Sequence, residues 1–121
     1  MLAHRSPWFR GRTAQELGAL GVEVVEVDDG AAAVGVVLAE QPNLVLVEDL
    51  LPSYPGREVL RRLRTEAPAV HVAVQLSDSR DLQGYLALGA CAAFSRRIAP
   101  ADVGAELLHC LTARPEPLLR L

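Results

Sequence analysis

Two acidic residues that follow a short apolar run in the middle of the chain are the first candidates for chemistry. Residues 43–47 read Asn-Leu-Val-Leu-Val, and Glu48 and Asp49 follow directly. An almost wholly apolar run of this length is typical of a strand buried on both faces of a parallel sheet. Carboxylates are the ligands that a hard, strongly hydrated cation such as Mg²⁺ needs. The end of this run is therefore the first place to look for metal-dependent chemistry.

Other polar residues stand where further strand-like runs end. Ser77 follows the next run along the chain, and Arg96 follows a weaker fourth run. His4 and Arg5 follow the three residues that open the sequence. In a parallel α/β sheet, residues placed after the strands meet at the carboxyl edge, where such proteins bind their ligands.

Each of these residues also has an ordinary structural interpretation. Glu48 can be a solvated strand end, and residues 96–97 can be a solvated basic pair. Ser77 stands in a Ser-Asp-Ser loop whose composition suits a helix cap. His4 and Arg5 can be surface residues. The sequence alone leaves these interpretations open beside the functional ones.

The elements that must position these residues are predicted from alternating strand and helix patterns. Strand-like runs occupy residues 22–27, 43–47, 71–76 and, more weakly, 92–95. Helical patterns occupy residues 13–19, 31–40, 57–65 and 81–88, and Pro100 opens a last helix. This alternation predicts an α/β domain with a parallel sheet covered by helices on both faces.

The segment 42–56 resembles the receiver domains of two-component response regulators. In that family a strand delivers a phosphoacceptor Asp, with Pro four residues later and Gly eight residues later. Counting back from Pro52 and from Gly56 leads both times to position 48. Residues 89–100 resemble the family's Gly-Ala segment, last strand and Lys-Pro turn. The resemblance covers almost the whole chain and implies a flavodoxin-like, doubly wound sheet of five parallel strands in the order 2-1-3-4-5, within three α/β/α layers and with a short first strand.

The resemblance also assigns family positions to individual residues. It places Glu48 at the phosphoacceptor, His4 and Arg5 at the acidic pair, Arg96 at the lysine, Ser77 at the hydroxyl switch residue and Ala93 at the aromatic switch residue. A shift of one residue along a strand turns a side chain to the other face. Asp49 is therefore not expected to replace an acceptor at position 48.

The charges at these positions do not suit the family's phosphoryl transfer, which requires Mg²⁺ held by the acidic pair and the acceptor. One negative charge at Glu48 faces positive charges at Arg5 and Arg96, so the total is at least +1 with His4 neutral. We expect no magnesium site, no cofactor and no catalysis. A salt bridge from Glu48 to Arg96 or to Arg5 is expected to replace the metal.

Composition narrows the classes of protein further. The chain has 121 residues, a formal net charge of −3 and an aromatic content of 4%. These values argue against direct nucleic-acid binding, which favours basic patches or aromatic stacking platforms. No apolar run approaches the roughly 20 residues of a membrane helix, so we expect a cytoplasmic domain. Cys91 and Cys110 are expected to be buried and reduced, since two such distant cysteines suit neither a zinc site nor a disulfide framework.

Three functions are compatible with the sequence. The first is a signalling module at residues 1–113, followed by a tail or linker at 114–121, that binds a kinase, an output domain, another protein or a second copy. The expected surface comprises Leu82, Tyr85, Ala93, Phe94, Asp102 and Leu107. The second is a phosphoacceptor that uses Asp49 with Asp28 or Asp78. The third is a sensor of a small anion or carboxylate at the carboxyl edge of the sheet.

Overall fold

The computed structural model describes residues 1–112, so the predicted tail at 114–121 lies outside the described residues. The strands are β1 (Leu2–Ala3), β2 (Glu26–Val27), β3 (Leu44–Glu48), β4 (His71–Leu76) and β5 (Ala92–Ser95). The α-helices are α1 (Pro7–Ala19), α2 (Gly30–Glu40), α3 (Gly56–Glu66), α4 (Leu82–Ala87) and α5 (Pro100–Thr112), and a 3₁₀ turn (Ser79–Asp81) precedes α4. None of the helices in residues 1–112 is long and apolar enough to cross a membrane.

The five strands form one parallel sheet in the order β2-β1-β3-β4-β5, which confirms the predicted fold class. The apolar run in β3 is buried at every position because strands lie on both sides of it and helices cover both faces. Helices α1 and α5 pack on one face, and α2, α3 and α4 pack on the other. All five carboxyl strand ends therefore lie along one edge, where the polar candidates stand.

The central strand β1 is only two residues long, as the sequence indicates. Its brevity explains why β2 is shorter than the predicted strand at 22–27. In the register, Leu2 and Ala3 pair with Glu26 and Val27, and the Leu2 amide donates to the Val25 carbonyl at 2.8 Å, so the described bonds to β1 begin at Val25. Val22 and Val24 instead pack against the α1 and α5 face of the core.

Helix α1 begins at Pro7, six residues before the helical pattern that starts at Thr13, and in agreement with the resemblance of residues 7–10 to the segment that opens the family's first helix. The Ser6 hydroxyl caps it by accepting a hydrogen bond from the Phe9 amide at 3.2 Å. Pro7 occupies the first helical position, where its missing N–H is harmless. The early start matters for the site, because it sets the amino end of α1 directly beside His4 and Arg5.

Candidate functional site at the carboxyl edge of the sheet

The predicted site residues from four strands meet in one crevice of about 430 Å³ at the carboxyl edge. The register of the strands brings these residues together. Ala3 of β1 pairs with Val47 of β3, which places His4 level with Glu48. Leu76 pairs with Ser95, which places Ser77 level with Arg96. The crevice is lined by His4, Arg5, Ser6, Trp8, Phe9, Glu48, Asp49, Gln75, Ser77 and Arg96.

Glu48 is held by Arg5 through two hydrogen bonds to the same oxygen. The Arg5 backbone amide donates to Glu48 Oε1 at 2.6 Å, and Arg5 Nε donates to it at 2.9 Å. The Glu48 side chain is 9% exposed, whereas that of Arg5 is 51% exposed. Of the two predicted salt bridges, the structure contains the one with Arg5. The interpretation of Glu48 as a solvated strand end is wrong, because the carboxylate is buried and paired.

His4 is a buried residue of the site and not the surface residue that one interpretation suggested. Its Nδ1 accepts a hydrogen bond from the Ser6 amide at 3.0 Å, so Nδ1 carries no proton. Its Nε2 then carries the proton and donates to Gln75 Oε1 at 2.7 Å. Burial is the main cause that lowers the pKa of His4, against the attraction of Glu48 with its Oε2 at 3.6 Å from Nε2. The ring is neutral and stacks on Phe9 with centroids 4.2 Å apart.

Gln75 is a site residue that the sequence analysis missed. It is 1% exposed, and the parallel register places it opposite Glu48. Gln75 Oε1 accepts the hydrogen bond from His4 Nε2, but Gln75 Nε2 has no acceptor among residues 1–112. A buried donor without a partner costs about 1–3 kcal/mol. The signal was present in the sequence, since Gln75 is the polar interruption in the run Val-Ala-Val-Gln-Leu.

Asp49 lies in the crevice, contrary to the expectation that it would face away. Strand β3 ends at Glu48, so the alternation of faces along a strand does not govern the next residue. Asp49 Oδ2 accepts from the Ser77 amide at 3.0 Å and from the Ser77 hydroxyl at 2.7 Å. The predicted charge total is also wrong, because the carboxylates of Glu48 and Asp49 balance the guanidinium groups of Arg5 and Arg96.

Arg96 lines the crevice but makes no ion pair with Glu48. Its side chain is exposed, and its recorded bond within residues 1–112 runs from its backbone amide to the Leu76 carbonyl at 2.9 Å. Arg97 is exposed as well and does not line the crevice. The structure thus agrees with a solvated basic pair, of which only Arg96 faces the site.

The acids proposed as additional metal ligands do not line the crevice. Asp78 is bound by Arg80, whose guanidinium hydrogen bond lowers the pKa of that carboxyl to about 2. Asp28 is exposed and follows β2 at the far side of the sheet. Among residues 1–112, no group of three or more His, Cys, Asp or Glu side chains is placed to hold a metal ion.

Only some residues of the predicted contact surface are exposed to solvent. Tyr85, Phe94 and Leu107 are buried in the core, so their assignment to that surface is wrong. Phe94 and Leu107 belong to the packing against α1 and α5, and Tyr85 belongs to the opposite face. Leu82 and Ala93 are half-buried, and Asp102 is exposed. Ala93 stands next to Val74 and carries no ring that could rotate.

The two cysteines come together in the fold although 18 residues separate them in the sequence. Cys110 is buried, as expected, but the prediction that Cys91 is buried is wrong. The hydrogen bond between the two thiols is the main cause that raises the pKa of Cys91. The shift moves the Cys91 thiol further from ionisation at neutral pH, where a thiol of ordinary pKa is already protonated.

A doubly wound parallel sheet of this order, with an acidic residue at the end of β3 and a basic residue at the end of β5, is the architecture of a receiver domain. Solved structures share it. The receiver domain of the response regulator NarL from Mycobacterium tuberculosis matches with a TM-score of 0.84 and 25% identity, over 93% of this chain and 94% of that one. The BeF₃-activated receiver domain of RstA from Klebsiella pneumoniae matches with a TM-score of 0.82 and 25% identity, over 93% and 97%.

Curated relatives agree in sequence. A protein of Cyanophora paradoxa named probable transcriptional regulator ycf27 is 30% identical over 104 residues, or 85% of this chain. Its namesake in Porphyridium aerugineum is 29% identical over 96 residues, or 78% of this chain. The matched part amounts to 44% and 40% of those two proteins. No protein-family model matches the sequence. The chain is a receiver domain of the two-component response-regulator class, a class of signalling modules.

Proposed function

We propose that this receiver works as a protein-interaction module without magnesium-dependent phosphorylation of a carboxylate. The observation that carries the proposal is the double hydrogen bond from Arg5 to Glu48 Oε1. A guanidinium stands where the resemblance implies an acidic metal ligand, and it occupies an oxygen of the residue at the acceptor position. The positive charge beside the acceptor position is therefore the guanidinium of Arg5, at the place where the resemblance implies a metal ion.

The donor set of the crevice does not fit Mg²⁺. This ion prefers an octahedral set of oxygen ligands with carboxylates among them. Glu48 Oε1 is taken by Arg5, and Asp49 Oδ2 is taken by Ser77. The guanidinium groups of Arg5 and Arg96 offset the charges of Glu48 and Asp49, so the crevice has no net negative charge to attract a divalent cation. No step of the proposed function therefore passes through a metal.

The partner is proposed to be another signalling protein or an output domain. The curated relatives are named transcriptional regulators, and this chain corresponds to less than half of each. A role in transcriptional control in the cytoplasm, with an output domain as partner, is the natural extension of that likeness. On the α4 side, Leu86 and Leu88 are 40% and 39% exposed, and they could contact a partner or a second copy.

The test exposes the protein to Mg²⁺ and to a small acyl phosphate, with calorimetry and intact mass as readouts. We expect no saturable binding of Mg²⁺ and no phosphoryl adduct. The variant His4→Asp/Arg5→Asp/Glu48→Asp restores three carboxylates at the implied positions and should gain Mg²⁺ binding. Arg12→Asp makes the same arginine-to-aspartate change at an exposed residue of α1 away from the crevice, and this control should gain none. Saturable Mg²⁺ binding to the unaltered protein would overturn the proposal.

The competing candidate is a receiver that is phosphorylated on Asp49. It is favoured by one observation, the presence of the Asp49 carboxylate in the crevice, where Oδ1 makes no recorded bond within the described residues. An adduct of one phosphoryl group that is retained in Glu48→Gln and lost in Asp49→Asn would establish this function in place of the first.

A further inference from the structure

We propose that Cys91 and Cys110 form a site of reversible oxidative modification, at which a hydroperoxide closes a disulfide between them. This site goes beyond the proposed function, because neither cysteine lines the crevice. Three features of the pair support it: the two thiols contact each other, one of them is open to solvent, and they lie on different elements of the fold.

The fold brings the two thiols together at the edge of the sheet. Cys91 directly precedes β5, and its backbone amide donates to the Val72 carbonyl of β4 at 2.8 Å. Cys110 lies in the last turn of α5, in the buried cluster against which Ala92, the first residue of β5, also packs. The thiols form a hydrogen bond with each other at this junction. Two cysteines can be bridged only where their side chains point towards each other, and this pair meets that condition.

The two cysteines differ in their access to solvent. Cys91 is exposed, whereas Cys110 is only 4% exposed. A hydroperoxide can therefore reach Cys91, while the packing of α5 on the sheet shields Cys110. This difference suits a pair in which one thiol reacts with the oxidant and the other, already in contact with it, completes the bond. The chain has two cysteines, so no third thiol competes for either of them.

The reaction balances in two steps, with hydrogen peroxide as the simplest hydroperoxide. In the first step the Cys91 sulfur attacks one peroxide oxygen, the O–O bond breaks, and a sulfenic acid and a water molecule are formed. In the second step the Cys110 sulfur attacks the Cys91 sulfur, the S–O bond breaks, and a second water molecule leaves. Each thiol proton ends on a water molecule, and the two electrons lost by the thiols reduce the peroxide. Thiol–disulfide exchange with a dithiol such as dithiothreitol reverses the change.

The hydrogen bond between the thiols affects the rate of the first step. It is the main cause that raises the pKa of Cys91, with Arg64 of α3 acting in the opposite direction. The same bond lowers the pKa of Cys110, against burial and the charge of Glu106 on α5. Because the thiolate is the form that attacks a peroxide, the first step should be slow at neutral pH and faster at higher pH. Cys91 is therefore expected to stay reduced until exposure to hydroperoxide is sustained.

The disulfide would fix the carboxyl end of α5 to the sheet. It closes a loop over the 18 residues between the cysteines, which contain all of β5 and most of α5. A cross-link reduces the conformational freedom of the unfolded chain, and here it also holds a helix end that would otherwise open locally. We expect oxidation to raise the Tm by at least about 5 °C and to slow hydrogen exchange of the amides in the last turn of α5.

The experiment exposes the reduced full chain to hydrogen peroxide and measures its intact mass without reductant. We expect a monomer that is lighter by about 2 Da, the mass of the two hydrogens lost, and that regains this mass with dithiothreitol. Peptide mapping of the oxidised protein should join Cys91 to Cys110. An unchanged mass, a disulfide-linked dimer, or stable oxygen adducts at Cys91 would overturn the proposal.

Two single variants separate the roles of the cysteines. Cys110→Ala leaves the exposed thiol without its partner, so peroxide should add oxygen to Cys91 and no intramolecular bond should form. Cys91→Ala changes an exposed residue, which keeps the test usable if Cys110→Ala does not fold. Its remaining buried thiol should react with N-ethylmaleimide at least about tenfold more slowly than the unaltered protein does.

Neither variant should show the rise in Tm after treatment with peroxide. A rise of equal size in Cys91→Ala would contradict the assignment, because that protein has no second thiol to bridge. These outcomes are independent of the Mg²⁺ test, since both cysteines lie outside the crevice.

Discussion

Arg5 and Glu48 are joined twice at a single oxygen: the backbone amide and the side-chain Nε of Arg5 both donate to Oε1 of Glu48, at 2.6 and 2.9 Å. The residues are 43 positions apart, so the pair ties the segment after β1 to the end of β3. Because one donor is the backbone amide, part of the contact survives every substitution of Arg5 except proline. A substitution of Arg5 therefore removes only the side-chain donor, which limits its effect on the free energy of unfolding.

Replacing Arg5 with Ala should lower the free energy of unfolding by about 1–2 kcal/mol. The carboxylate of Glu48 loses a charged donor while it stays buried, but the half-exposed position of Arg5 limits the effect. Arg12→Ala, which removes an exposed arginine of α1 away from the crevice, should change stability by less than about 0.5 kcal/mol. Urea unfolding of the two variants checks the difference, and equal losses would contradict the importance of the pair.

Stability should fall as the pH drops below about 6.5, the ordinary pKa of histidine, because of His4. Burial lowers the pKa of His4 in the folded chain, and Arg5 and Arg10 add to that effect, whereas Glu48 and Gln75 oppose it. Below that pH the unfolded chain takes up a proton at His4 that the folded chain does not, so protonation favours unfolding. The slope for one such group is at most about 1.4 kcal/mol per pH unit.

The variant His4→Asn tests this pH dependence. Its side-chain oxygen can still accept from the Ser6 amide, but it does not titrate. Thermal unfolding between pH 7.5 and pH 5, with His71 and His109 present in both proteins, should show a smaller loss of stability for the variant. Parallel pH profiles would show that His4 does not carry the effect.

A methyl group at Gly56 should destabilise the domain by more than about 2 kcal/mol. A Cβ at this position would lie 2.5 Å from the Glu48 carbonyl oxygen and 2.9 Å from Asp49 Cα, and both are backbone atoms that a side-chain rotation cannot move. Gly35→Ala is the matched control, because its Cβ would meet nothing within 4 Å. That variant should gain about 0.5–1 kcal/mol from the better helix propensity of alanine. Chemical denaturation measures both.

Asp49 and Ser77 should show a coupling energy of about 1 kcal/mol in a double-mutant cycle. The cycle uses Asp49→Ala, Ser77→Ala and the double variant. The Ser77 hydroxyl and amide both donate to Asp49 Oδ2, so either single substitution breaks the same side-chain contact. Additive effects on the free energy of unfolding would show that the contact does not stabilise the fold.

The positions that could be predicted from the sequence are those fixed by spacing along the chain. Pro52 and Gly56 located Glu48, and the structure explains the second of these, since Gly56 packs against the backbone of residues 48 and 49. The polar edge followed from the order of strands and helices. Both predictions need only local patterns and the general geometry of a parallel sheet.

The contacts across the sheet could not be predicted in this way. The bond between His4 and Gln75 joins residues 71 positions apart, and no local pattern couples them. The choice of Arg5 over Arg96 as the partner of Glu48 is likewise a contact between distant segments, and no local pattern distinguishes the two arginines. Asp49 was misplaced because the strand rule was applied one residue beyond the end of β3.

The bond between Asp49 and Ser77 has a consequence for how such a domain carries information. Under the proposed function, the hydroxyl that would respond to a phosphoryl group is already engaged, and Ala93 has no ring to follow it. A domain that keeps a single conformation cannot switch between an active and an inactive state. Its signalling output would then depend on how many copies of the domain the cell makes and on which partners compete for them.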